Sequence, residues 1–257
     1  MIVTVLGSGT STGVPIVGCN CSVCSSDHPR NKRLRASAYI ELNDGSCILI
    51  DTSPDLRQQA LTAGITRMDA VFYTHLHADH THGIDELRTF NYLKRAPIDI
   101  YGSEEHIAHI RRQFRYIFEE SLQKGGGKPE LETHNIVPFE SFELFGTKIT
   151  PIKLFHGKLP CTGWRIGDFA YLTDVSRIPE ETYEYLTGLD TLILGALRPL
   201  EHPTHFSIPE AVEEAKRIGA RHTWLTHMGH DVDYEETRKK VDPPVEPAYD
   251  QLRIEIP

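Results

Sequence analysis

The sequence predicts a mixed α/β fold, and three observations carry that expectation. Short apolar runs of strand length alternate with helical stripes over 69–120 and again over 179–256. Two other stretches read as antiparallel β-structure, a hairpin near the start and a run of strands from 135 to 173. No linker, repeat or low-complexity tract separates these regions, so all 257 residues are expected to form a single domain.

In chain order, residues 2–6 form an apolar strand that runs into Gly7-Ser8-Gly9-Thr10-Ser11-Thr12-Gly13. This loop lacks both the lysine of a phosphate-binding loop and the glycine spacing of a dinucleotide fingerprint, so it reads as a structural turn. Strands over 37–42 and 47–50 flank Asn43-Asp44-Gly45, a strong hairpin turn. The second strand ends at Asp51. Pro54 then opens a helix with the stripe Leu56, Ala60, Leu61 and a stop at Gly64. Next come a strand over 69–74, a histidine-rich turn, a helix over 84–95, a strand over 98–101 and one long helix over 103–120. Gly125-Gly126-Gly127 interrupts the pattern and reads as a mobile surface loop or lid. Strands with turns near Glu140 and Gly146 fill 135–155, and a hairpin turns at Gly167-Asp168. A helix over 179–186, a strand over 191–194, a helix over 209–218, a strand over 222–225, a polar helix after Asp233 and a strand over 252–256 complete the reading.

With 39% hydrophobic residues, the chain can bury a full core without disulfides. The net charge of −9 sets up a repulsive average field that disfavours long nucleic acid, while a small anion held by metals escapes the objection. The opening apolar run is too short for a secretory signal and no later run reaches membrane-spanning length. A cytoplasmic protein with no membrane partner is therefore expected.

Chemistry concentrates in His75-Leu76-His77-Ala78-Asp79-His80, placed where an apolar strand ends and a helix begins. Three imidazoles and a carboxylate within six residues exceed what a chance polar turn supplies, and a mixed nitrogen and oxygen set is open to several divalent metals. Three of the five cysteines crowd into Cys19-Asn20-Cys21-Ser22-Val23-Cys24, a clustering that favours metal ligation over disulfides in a reducing compartment. Cys47 and Cys161, in strand and turn contexts, read as ordinary core thiols.

His-x-His-x-Asp-His is the signature of the metallo-β-lactamase superfamily, and the chain resembles that family. The resemblance implies a four-layer αββα sandwich with the site at one edge. The family's later ligand positions match His156 in Lys153-Leu154-Phe155-His156-Gly157, Asp174 in Ala170-Tyr171-Leu172-Thr173-Asp174, and His227 in Thr223-Trp224-Leu225-Thr226-His227. By this resemblance His75, His77 and His156 hold one divalent ion, zinc or manganese. Asp79, His80 and His227 hold a second, and Asp174 bridges the two. Asp51 matches a carboxylate that supports the ligands from behind.

Cys19, Cys21 and Cys24 are one donor short of a closed tetrahedral zinc site, and His230, three residues beyond His227, is the candidate fourth ligand. Such a structural zinc would tie the two ends of the chain together. The cysteine loop combined with the histidine signature and Leu225-Thr226-His227-Met228-Gly229-His230 resembles the PhnP-like phosphodiesterases, which act on ribosyl cyclic phosphates. That likeness implies hydrolysis of a small phosphodiester, with Asp79 and Asp174 at the reacting centre and His205, in Thr204-His205-Phe206, as proton donor to the leaving group. His202 lies close enough in sequence to be mistaken for it.

Ester, thioester and lactone hydrolases of the same fold form the alternative enzyme class. A pyrroloquinoline-quinone biosynthesis protein that resembles the chain in its cysteine loop offers a binding or carrier role. The tRNA 3′-end nucleases share the hydrolytic motif, but the acidic charge and the lack of a basic arm weigh against them. A homodimer is left open. His82, His106, His109, His134 and His222 match no family position and read as surface or supporting residues.

Overall fold

The protein is described from a computed structural model covering residues 1–119 and 127–257. Gly125 and Gly126, and with them most of the expected lid, lie outside the described residues. Gly127 is described, and its carbonyl accepts a hydrogen bond from Arg88.

Two seven-stranded sheets are seen among the described residues. The first has the order β14-β1-β2-β3-β4-β5-β6. Its strands are β1 (Ile2–Gly7), β2 (Ser37–Glu41), β3 (Cys47–Ile50), β4 (Ala70–Phe72), β5 (Ile98–Ser103), β6 (Leu131–Ile136) and β14 (Arg253–Glu255). The second has the order β13-β12-β11-β10-β9-β8-β7. It is built from β7 (Phe142–Leu144), β8 (Thr147–His156), β9 (Leu159–Ile166), β10 (Phe169–Leu172), β11 (Thr191–Gly195), β12 (His222–Thr226) and β13 (Val245–Pro247). Each sheet has an antiparallel part and a parallel part. Strands β3 to β6 run parallel in one, and β10 to β13 in the other.

Period-two alternation explains how both faces of each sheet are buried. Ile48 and Ile50 face the other sheet and Leu49 faces the helices, so β3 reads in sequence as an unbroken apolar run. Between the sheets Phe72 stacks on the fully buried Trp164 with ring centroids 4.3 Å apart. Outside the first sheet lie α1 (Leu56–Ala63), α2 (Ala78–Thr81), α3 (Leu87–Lys94), α4 (Glu104–Gln113) and α5 (Arg115–Phe118). Leu56, Leu87, Phe90, Ile107 and Ile110 from this layer pack on Leu49, Val71 and Ile100. On the second sheet, Ile208, Ala211, Ala215 and Ile218 of α6 (Ile208–Ile218) cover Leu192, Leu194 and Leu225. The polar α7 (Tyr234–Lys240) follows near the chain's end. The layers are helix, sheet, sheet, helix, as the αββα expectation requires, and no helix among the described residues is long and apolar enough to cross a membrane.

Three expectations need correction. The long helix over 103–120 is two helices, broken at Phe114 (φ −108°, ψ 44°), whose ring turns inward with Ile117 onto the helix-side core. Residues Glu180–Leu186 form 3-10 rather than α-helical turns. Strands β6 and β13 begin or lie where only loop was expected. Both are edge strands, where a half-exposed polar run such as Leu131–Ile136 and a proline such as Pro247 are tolerated.

Candidate active site

The donors of the histidine signature and its partners gather where the parallel strands end. Asp51 follows β3, His75 to His80 follow β4, Asp174 follows β10 and His227 follows β12, while His156 ends β8. Asp51, Asp174 and His227 all take left-handed backbone, with φ of 61°, 49° and 60°. Such a conformation costs energy for a residue with a side chain, and it turns each group sharply off its strand toward the gap between the sheets. The turn is packed tightly from below. A Cβ on Gly83 would lie 2.0 Å from the Ser53 carbonyl oxygen, so only glycine lets the end of the histidine turn rest on the Thr52-Ser53 backbone.

Hydrogen bonds set the direction of the imidazoles. The buried Asp51 carboxylate accepts from the Thr74 amide (2.8 Å), the Thr74 hydroxyl (2.7 Å) and His80 Nδ1 (2.6 Å). Because that carboxylate only accepts, His80 carries its proton on Nδ1 and turns Nε2 toward Asp79 and Asp174, at 3.1 and 3.2 Å. His156 Nδ1 likewise donates to the Thr204 carbonyl at 2.7 Å, leaving Nε2 for the site.

The sequence-derived ligands assemble as two sets. His75, His77, His156 and Asp174 bring their donor atoms within 4.8 Å of one another, and so do Asp79, His80 and His227. Asp174 reaches both sets, with Oδ1 3.9 Å from His75 Nε2 and 3.3 Å from His227 Nε2, and Oδ2 3.2 Å from His80 Nε2.

Electrostatics mark the place as a seat for cations. Burial opposes charge on Asp174, yet His227, His80 and His75 outweigh it and hold the carboxyl well below the usual range. Burial would also neutralise His80, but Asp174 and Asp51 keep its imidazole well above the ordinary value. Among the described residues, the buried Nε2 atoms of His75, His80 and His227 have no hydrogen-bond partner. Buried nitrogens left unpaired beside ionised carboxylates are costly alone and fit divalent metal ions well.

His205 lies beside these sets. Its ring stacks on His227 at 4.9 Å, meets His156 edge-on at 4.5 Å, and places Nδ1 3.7 Å from Asp174 Oδ1. His202 instead turns its Nδ1 to the Thr204 hydroxyl of its own loop. That loop is pinned where Phe206 donates to the Val175 carbonyl and accepts from Leu197, and α6 then starts in a capping box between Ser207 and Glu210. Burial and the neighbouring His227 push the His205 imidazole down to about 3, so the ring is neutral at pH 7 in these surroundings.

Cys19, Cys21 and Cys24 place their sulfurs 3.3, 3.5 and 3.8 Å from His230 Nδ1. Backbone amides of Cys24 and Ile16 donate to the Cys21 and Cys24 sulfurs at 3.4 Å. The Cys24 amide is the main reason the Cys21 thiol is lowered to about 6, a value that keeps a thiolate available for a metal. Cys47 and Cys161 are buried free thiols.

Several supporting residues carried no sequence signal. The Thr204 carbonyl acts through its backbone. Buried Arg33 donates to the Gly229 and Val232 carbonyls and so braces the segment that holds His230. Asp250 accepts from the Ser8 amide and hydroxyl and from the Leu34 amide, while Ser8 accepts from Met228 next to His227. The glycine-rich loop thus forms part of the floor of the site. His106, read as a surface or supporting residue, is buried.

Residues 47–228 match the beta-lactamase superfamily domain, and the chain belongs to that superfamily, with the metallo-β-lactamase fold and the divalent metal binding which that fold implies. Within it the chain is a PhnP-like member. A diphosphatase of the PhnP family is 41% identical, with a TM-score of 0.92 over 100% of this chain and 98% of its own. An octanoyltransferase of Porphyromonas gingivalis is 38% identical over 98% of this chain but only 51% of that protein, so this chain spans about half the length of that relative. The zinc-bound PqqB of Methylobacterium extorquens shares the fold at a TM-score of 0.82, with 19% identity over the whole of both chains.

The Asp51 contacts carry a prediction for metal affinity. Asp51→Asn removes the charge behind His80, and metal titration of the stripped protein should show affinity weakened about 10- to 100-fold. An unchanged titration would mean that the carboxylate serves the fold alone.

Proposed function

We propose that this protein is a metal-dependent hydrolase of small phosphodiesters, cyclic ribose phosphates among them. The observation that carries the reading is the reach of Asp174 to both donor sets, which suits one carboxylate shared by two ions. His75, His77 and His156 would hold one ion, and Asp79, His80 and His227 the other. Zinc or manganese fits this mixture of imidazole and carboxylate, and zinc fits the Cys19, Cys21, Cys24 and His230 set. A bound pair of divalent ions supplies Lewis acidity toward phosphoryl oxygens and makes hydroxide available near neutral pH.

The protein's own groups do the rest. Asp51 and the Thr204 carbonyl keep His80 and His156 in the right tautomer, and the left-handed turns hold the carboxylates in place. His205, beside Asp174, is placed to protonate the departing oxygen. Burial and His227 lower its pKa, and the negative charge of a bound phosphate acts in the opposite direction. His205→Ala should keep full metal content yet lose on the order of 10² to 10⁴ in rate on esters with poor leaving groups. The loss should shrink for a nitrophenolate, which departs without a proton. Metal loss would make His205 a ligand, and equal losses for both leaving groups would assign it to substrate positioning.

Phosphoryl chemistry is preferred to acyl chemistry because the PhnP-family relative is a diphosphatase that matches the whole chain. The octanoyltransferase is twice as long, and its activity can reside in the half that this chain does not match. A binding or carrier role of the PqqB kind is disfavoured by the completeness of the donor sets. A cysteine set that holds a metal in place of disulfides suits a reducing, cytoplasmic setting. The test is a panel of cyclic phosphates, nitrophenyl phosphodiesters, carboxylic esters, thioesters and lactones offered to the metal-loaded protein. Turnover confined to the phosphates is the expected result, and silence on every phosphodiester would overturn the reading.

A further inference from the structure

Beside His75, His77 and His156 a cavity of 80 Å³ opens, walled by Leu76, Leu159 and Pro160 and edged by Glu105 and His106. Glu105 and His106 come from the first turn of α4, where the Ser103 hydroxyl accepts from the His106 amide and fixes their placement. His106 is only 6% exposed, and its Nδ1 is buried without a hydrogen-bond partner among the described residues. No part of the metal chemistry above uses either residue.

We propose that Glu105 and His106 determine specificity by holding a hydroxyl of the alcohol that stays on the phosphate, with that alcohol seated in the apolar cavity. This rests on the phosphodiester reading and adds to it the identity of one ester arm. His156 separates the two sides of the site, its ring 4.5 Å from His205 and 5.0 Å from His77. The leaving oxygen belongs beside His205, so the retained group faces the cavity.

Size and chemistry then define that group. The cavity is small and takes a short fragment of a few heavy atoms. Its walls favour carbon, and its two polar groups differ. The Glu105 carboxylate only accepts hydrogen bonds, while the His106 imidazole, lowered by its burial and hence neutral, lines the cavity as a ring that carries both an N–H and a bare nitrogen. A hydroxyl can donate to one and pair with the other. An alkyl arm makes neither bond, and a second anionic group meets the carboxylate.

The test is a matched set of p-nitrophenyl phosphodiesters whose second arm is propyl, 3-hydroxypropyl or 3-aminopropyl, assayed with the zinc- or manganese-loaded protein. The wild type should prefer the hydroxypropyl over the propyl ester by about tenfold in kcat/KM, the effect of one well-made hydrogen bond. Glu105→Ala and His106→Leu should each bring the ratio close to one. Glu105 is exposed, so its variant should keep the metal content and melting temperature of the wild type. Leu159→Trp, also at an exposed position, should fill the cavity and reduce the preference by steric means if His106→Leu fails to fold. A wild-type ratio near one, or a ratio unchanged in Glu105→Ala, overturns the assignment and leaves the phosphodiester reading standing. A preference for the aminopropyl arm overturns it in favour of a cation site. Absence of turnover on all three esters overturns both.

Discussion

Asp174→Ala is expected to abolish turnover on phosphodiesters, with a fall of at least about 10³ in kcat/KM, and to weaken the binding of both active-site ions. The carboxylate reaches both donor sets, so its loss leaves His75 without that carboxylate and leaves Asp79 as the acidic donor beside His80 and His227. Two divalent ions held close together then repel one another with one shared negative charge fewer to offset them. Burial makes the effect large, because Asp174 is 2% exposed and solvent cannot replace it. Metal analysis after dialysis, read together with kinetics, checks the result. Two tightly held ions and normal turnover in the variant would remove Asp174 from the centre of the site. Asp174→Asn separates charge from shape, since it keeps the volume and one accepting oxygen, and it should fall between the alanine variant and the wild type.

Cys21→Ser is expected to release one zinc per chain, lower the melting temperature by on the order of 10 °C, and leave the active-site ions bound. The loop carrying Cys19, Cys21 and Cys24 has only a small apolar cluster of its own, Val14 and Val23 with the partly buried Ile16. So few contacts cannot offset the entropy of ordering the loop. A metal joining it to His230 would close a span of most of the chain and supply what packing does not. The strain should travel a short way, because Met228 and Gly229, between His227 and His230, hydrogen-bond to Ser8 and Leu197. A modest loss of activity is therefore expected beside the large loss of stability. An unchanged zinc count would reject the Cys₃His site.

Local signals were legible where local physics decides. The hairpin turn at Asn43-Asp44-Gly45, the helix stop at Gly64 and the strands β3 and β11 follow from turn chemistry and apolar period, which involve neighbours in sequence. The break at Phe114 was not legible, because the helical stripe continues through it and only the distant core draws the ring inward. Strand β6 was placed too late for the same reason. At a sheet edge a strand needs pairing to β5 more than it needs apolar residues.

By itself the sequence singled out the candidate residues: the six-residue run from His75 to His80 and the three cysteines by their clustering, His156, Asp174 and His227 by resemblance to family positions at readable strand ends, and His230 just beyond. Only the tertiary structure decided how they meet. It placed Asp174 against both donor sets, turned His205 rather than His202 to the centre, set the Thr204 carbonyl behind His156, and walled a cavity with His106. Ligand identity is written in side chains one at a time. Convergence depends on which strand ends lie side by side, on backbone carbonyls common to every residue, and on left-handed turns at Asp51, Asp174 and His227 that only the packed sheets can hold in place.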